Sequence, residues 1–127
     1  MNAKPITPTL HGIIDYAFAA TLLLAPRLLG LNKKASRLYK LLALEVITYS
    51  ALTNYPAGVT PVISYDMHRK IDGVNIAGLV AGTMCKDIKK EKAALAFHIG
   101  MTTLAIGSVL LTDWDADPHL RRGESRI

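Results

Sequence analysis

The 127 residues contain one cysteine, Cys85, which excludes an intrachain disulfide and a thiolate metal cluster. Aromatic residues make up only 6% of the chain, and no run of them is interleaved with the basic side chains. The net charge of +5 therefore builds no stacking platform, and no groove-reading motif accompanies it, so nucleic acid is not expected as a partner. A nucleophile elbow, a phosphate-cradling glycine loop and a zincin helix are all missing, and with them the usual marks of a soluble enzyme. Charge itself is missing from long stretches such as 16–26, 46–65 and 93–112.

What remains is apolar sequence with its basic charge gathered at 33–40, 86–92 and 121–126, in a chain that is 50% hydrophobic and 20% charged. Short charged stretches between uncharged ones suit membrane spans joined by loops. Lysines beside spans are what anionic headgroups attract, which makes the bilayer the expected partner. Four helical segments follow, at 9–31, 36–54, 66–85 and 92–112. Each is about 20 residues, or about 30 Å of helix, enough to cross a bilayer. Pro26 is expected to kink the first, and Tyr55-Pro56 to end the second. A soluble four-helix bundle would need a polar face that 9–31 and 92–112 lack. The expected fold is all-α, a four-helix transmembrane bundle in a single domain over 1–127 with a polar tail from 115. His11 and Asp15 interrupt the first apolar stretch, so a cleaved secretory signal is not expected.

Lys and Arg number nine around the two hairpin turns (Arg27, Lys33, Lys34, Arg37, Lys40, Lys86, Lys89, Lys90, Lys92) and six at the opposite end (Lys4, Arg69, Lys70, Arg121, Arg122, Arg126). The positive-inside rule then puts the turns in the cytoplasm and both termini outside the inner membrane. Gly73, Gly78 and Gly82 in the third segment permit close helix approach, which points to a homo-oligomer or a partner in a larger membrane complex.

The segments form two related hairpins. His11-x-x-x-Asp15 recurs as His68-x-x-x-Asp72, 57 residues on. Leu52-Thr53-Asn54-Tyr55 recurs as Leu111-Thr112-Asp113-Trp114, 59 residues on, and Lys33-Lys34 as Lys89-Lys90. Repeat one spans about 9–55 and repeat two about 66–114. Duplication brings His11, Asp15, His68, Asp72, Asn54, Tyr55, Asp113 and Trp114 to one end of the bundle.

The strings HGIIDYAFAATLLLAPRLLGL, LTNYPAGVTPVISYDMHRKID and LLTDW resemble uncharacterised small bacterial four-helix membrane proteins related to the SPW-repeat family. Those proteins carry HG-x-x-DY at the first helix, an APxLFGL-like end and a TDYP-G turn. The resemblance covers about 8–114 and implies a four-helix membrane fold without a particular activity. Where a Ser/Ala-Pro-Trp-like end is expected in the second half, Gly82-Thr83-Met84-Cys85 stands instead.

Three constellations bear on chemistry. A spacing of four puts His11 with Asp15, and His68 with Asp72, on one helix face each. Together they offer a site for a divalent metal, or two imidazoles for a b-type haem or a proton shuttle; otherwise they are hydrogen-bonded pairs locking the repeats together. Glu45 lies near mid-span, where Asn75, Thr102 and His98 are expected to join it in a buried polar site, and proton-coupled transport through Glu45 is one consequence. Asp113, Asp115 and Asp117, with Leu120 and Glu124, echo a calcium loop, but Pro118 takes the glycine position and no helix follows. The sequence supports an assembly or accessory module of the membrane first, and a redox or metal-handling protein second.

Overall fold

A computed structural model describes residues 4–119. Arg121, Arg122, Arg126, Leu120 and Glu124 lie outside the described residues. The chain is all-helical, in the order α1 (Pro8–Leu28), α2 (Lys33–Ala51), α3 (Tyr65–Gly82), α4 (Lys86–Lys89) and α5 (Lys92–Leu111).

Each long helix starts or stops for a local reason. Thr7, Asn32 and Ser64 cap α1, α2 and α3, their side-chain oxygens accepting from the backbone N–H of Leu10, Ala35 and Met67, the usual way of satisfying an orphan donor in the first turn. Pro8 occupies the first position of α1, where its missing N–H costs nothing. Gly30, at φ +64°, ends α1 in a left-handed residue that a side chain would strain, while the N–H of Leu31 reaches back to the carbonyl of Pro26. The cap at Asn32 starts α2 three residues earlier than its apolar pattern indicates. Asn32 also ties the two turns together. Its side-chain N–H donates to Glu91 Oε1 at 2.7 Å and to the Asp87 carbonyl at 2.7 Å, and its backbone N–H donates to Glu91 Oε1 at 3.0 Å. These hydrogen bonds hold the Glu91 carboxyl below its ordinary range.

α1 lies along α2, and α3 along α5. The core they share is built from Ala19, Leu22, Ala35, Tyr39, Ala43, Val46 and Met101. Two helices, Pro8–Leu28 and Lys92–Leu111, are long and apolar enough to cross a membrane. The four-span expectation meets this test in half its segments. α2 carries Lys33, Lys34, Arg37, Lys40 and Glu45, and α3 opens on Asp66, Arg69, Lys70 and Asp72.

Burial runs against the pattern of a soluble domain. His11, Asp15, Ser50, Thr53, His68, Asp72, His98 and Thr112 are buried, while Ile13, Leu24, Leu41, Val74, Ile99 and Leu104 are exposed. Glu45 is exposed on the outer side of α2, which corrects the expectation that it is buried. No hydrogen bond among the described residues joins it to Asn75, Thr102 or His98.

Candidate metal centre

His11 and His68 occupy the same place on their helices, the fourth residue after the capping Thr7 and Ser64. Asp15 and Asp72 follow one turn later. The segment entering each helix is pinned by a matching pair of backbone hydrogen bonds. Ile6 N–H donates to the Leu111 carbonyl at 3.1 Å and its carbonyl accepts from Asp113 at 2.8 Å. Ile63 N–H donates to the Leu52 carbonyl, and its carbonyl accepts from Asn54, both at 2.9 Å. These clamps set Thr112 beside His11 and Thr53 beside His68.

The four side chains converge from both hairpins. His11 Nε2 lies 3.0 Å from Asp72 Oδ2 and 3.3 Å from Asp15 Oδ2. His68 Nε2 lies 2.8 Å from Asp15 Oδ2 and 3.4 Å from Asp72 Oδ2. The four atoms all sit within 4.8 Å of one another, and all four residues are buried. Bonds of ~2.0 Å to one ion separate neighbouring ligand atoms by about 3.3 Å in a tetrahedron and about 2.9 Å in a square. The observed separations of 2.8–3.4 Å fit that range.

The outer layer settles which ring nitrogens carry hydrogen. Thr53 donates its hydroxyl hydrogen to the Tyr49 carbonyl at 2.6 Å, and Thr112 donates to the Ser108 carbonyl at 2.6 Å. Each hydroxyl has thereby spent its only hydrogen. At 2.8 Å, Thr53 must then accept from His68 Nδ1–H, and Thr112 from His11 Nδ1–H. Both Nε2 atoms are left facing the carboxylates, with either a lone pair for an ion or a second proton for a salt bridge. Asp72 is held further by Tyr49, whose hydroxyl donates to Oδ1 at 2.5 Å, and Asn75 donates to that hydroxyl at 3.3 Å. Ser50 donates to Asp15 Oδ2 at 3.4 Å.

Aromatic rings close the site towards the chain termini. Trp114 lies 4.7 Å from the His11 ring and 4.9 Å from Tyr65, and Tyr55 lies 5.3 Å from His68. Gly12 makes room for this layer: a Cβ there would stand 2.3 Å from that of Ala57 and 3.0 Å from the Tyr55 ring. The predicted gathering of His11, Asp15, His68, Asp72, Tyr55 and Trp114 is therefore what the structure contains. The two histidine rings meet edge to face at 5.3 Å, with both carboxylates at their Nε2 atoms. A porphyrin would have to enter where those carboxylates stand, so the arrangement does not fit a haem.

The second predicted site is dispersed. His98 donates from Nε2 to the Leu79 carbonyl at 2.6 Å and accepts at Nδ1 from the Tyr39 hydroxyl at 2.9 Å, so it is a satisfied core residue. Asn75 belongs to the edge of the His/Asp cluster through Tyr49. Thr102 Oγ1 is buried without a hydrogen-bond partner. Asp113 and Asp117 accept from the N–H groups of Asp115 and His119, two residues on. Among the described residues, His11, Asp15, His68 and Asp72 form the one group able to hold an ion.

Thr53, Thr112 and Tyr49 are the site residues that sequence reasoning missed. The signal was present in the repeated Leu-Thr-(Asn/Asp)-aromatic motif, which gives no sign that its threonine fixes a histidine tautomer.

No protein-family model, curated protein or solved structure matches the chain.

Proposed function

We propose that this is a membrane-embedded metal-binding protein whose His11, Asp15, His68 and Asp72 hold a divalent first-row ion, zinc or copper, at one end of the bundle. The observation that carries this is the pair of threonines. By accepting from Nδ1–H they orient both imidazoles and aim both Nε2 atoms at one place, as the outer layer of a metal site does. Charge agrees with it: one divalent ion between two carboxylates and two neutral imidazoles is balanced, and so costs less to bury.

The reading of four crossing helices in two repeated hairpins, with turns in the cytoplasm and termini outside, has support in the buried polar and exposed apolar side chains and in the matched clamps at Ile6 and Ile63. Kinship with the SPW-repeat group rests on the HG-x-x-DY and LTDW strings alone.

Metal analysis of the purified protein tests the proposal. One tightly held ion per chain, lost in Asp72→Asn and in His68→Ala, is the expected result. A metal-free protein that takes up neither zinc nor copper on titration overturns it.

A role in assembly through α3 draws on a different observation. A Cβ at Gly73 or Gly78 would meet nothing within 4 Å, whereas one at Gly82 would stand 2.9 Å from the His98 ring. Gly82 therefore serves the inside of the chain, and an intermolecular contact would use the face of Gly73 and Gly78. Oligomers in detergent that weaken in Gly78→Leu support this role; unchanged assembly removes it.

A further inference from the structure

Beside the His/Asp cluster the two hairpins enclose a cavity of about 470 Å³, open on one side. That volume is in the range of small-molecule sites, about 300–1,000 Å³. The cluster is held together without it, so the cavity calls for its own explanation.

Its lining is sorted by polarity. At one end stand His11, Asp15, Asp72, Tyr49, Asn75 and Ser108. The rest of the wall is apolar, including Phe18, Val46, Ile76 and Met101. The rim runs along exposed residues of two helices, Ala17 and Thr21 on α1 and Thr103 and Leu104 on α5. These are the two helices with the length and composition of membrane spans, so the mouth faces the medium those helices occupy. A molecule that enters there arrives from the lipid and carries an apolar body.

Charge narrows the head group. No lysine or arginine lines the cavity among the described residues. Two carboxylates are matched by an ion or by two protons, which leaves no positive charge over. A phosphate or carboxylate head would be desolvated without a counter-charge. A neutral oxygen, by contrast, finds the Asn75 amide, which donates and accepts, and the Ser108 hydroxyl. Phe18 and Met101 favour a flat ring over a simple chain, through ring packing and sulfur–aromatic contact.

We infer that the cavity binds a neutral, oxygen-headed lipophile of the quinone or phenol class, its ring beside Asn75 and Ser108 and its tail leaving between α1 and α5. Placement of the head rests on the proposed metal centre as its polar floor; the walls and the mouth are independent of it.

A benzoquinone with a ten-carbon tail tests this in the full chain reconstituted in nanodiscs. Trp114 is the chain's single tryptophan, and its ring lies 4.7 Å from that of His11, so a bound quinone head is placed to quench it. The expected result is saturable quenching with one site per chain, at least tenfold weaker in both Gly107→Phe and Ala17→Phe. A Cβ at Gly107 meets nothing within 4 Å, so the new ring has room to enter the cavity, and circular dichroism checks that each variant folds. Quenching that rises linearly with quinone overturns the inference, as does equal affinity in both folded variants. Decanoate that competes as well as the quinone also overturns it. Metal content is measured on the same samples. Bound metal without a saturable quinone site sinks the cavity and spares the metal centre. A saturable site in protein that takes no metal sinks the metal centre and spares the cavity.

Discussion

The Thr53 hydroxyl accepts a hydrogen bond from His68 Nδ1 at 2.8 Å while donating its own hydrogen to the Tyr49 carbonyl at 2.6 Å. One hydroxyl thus fixes the tautomer of a buried imidazole, and Thr112 does the same for His11. Replacing either threonine by valine keeps the shape and removes the acceptor. Metal affinity should fall about 10–100-fold, as it does when an outer-layer partner of a ligating histidine is lost. Competition with a chelator of known affinity measures this, and Thr53→Ser should restore most of the loss. Valine variants that bind as tightly as the parent would show that the threonines do not orient the ligands.

Metal uptake should release protons. In the metal-free protein each Nε2 is within 3.0 Å of a carboxylate oxygen, a contact that needs a hydrogen between them. An ion displaces both hydrogens, so about two protons should leave per ion and affinity should weaken as pH falls. Calorimetry in buffers of different ionisation enthalpy gives the count. A count of zero would mean that the ion binds elsewhere.

Asp72→Asn should be among the most damaging single substitutions even without metal. It removes one partner from buried ion pairs with His11 and His68 and the acceptor of the Tyr49 hydroxyl. Breaking one side of such a pair costs about 3–5 kcal/mol. Thermal unfolding of chelator-treated protein, compared with an exposed control such as Asp66→Asn, checks it.

The glycines of α1 and α3 should separate sharply. Gly12→Ala drives a Cβ into Ala57, and overpacking of that kind costs about 1–3 kcal/mol. Gly78→Ala meets nothing and should raise stability by about 0.5–1 kcal/mol through better helix formation. Denaturation midpoints of the two variants test the contrast.

At the other end of the bundle, Asn32→Ala removes the α2 cap and the link to Glu91 and Asp87 together, with the cap alone contributing about 1 kcal/mol. Because the Glu91 carboxyl is held below its ordinary range, its contribution is present above the unfolded value and is lost as pH falls through the lower folded one. Acidification below the ordinary carboxylate range should therefore destabilise the parent more than Asn32→Ala. Equal acid sensitivity would separate Glu91 from the clamp.

The helices and the gathering of His11, Asp15, His68 and Asp72 were legible in the sequence, because spacing of four on a helix and recurrence at 57 residues are local patterns with direct geometric meaning. The facing of α2 was not. Glu45 follows Leu44 and precedes Val46, and among such neighbours composition alone does not say which side meets α1. The structure turns Val46 inward and Glu45 outward. The short α4 and the early start of α2 depend on Asn32 reaching Asp87 and Glu91, a contact across more than fifty residues that no window of sequence contains. The cavity lay beyond reach for the same reason, since it is made by the spacing between helices.

His11 takes its nearer carboxylate and its threonine from the second hairpin, and His68 takes both from the first. Neither hairpin alone therefore holds a working half. On the duplicated-hairpin reading, a single-hairpin ancestor had this centre only where two molecules met, and fusion into one chain made the encounter permanent. The two halves were then free to diverge: Tyr49 supports Asp72 where its counterpart Ser108 leaves room, and the opening to the cavity lies on the side that lost its tyrosine.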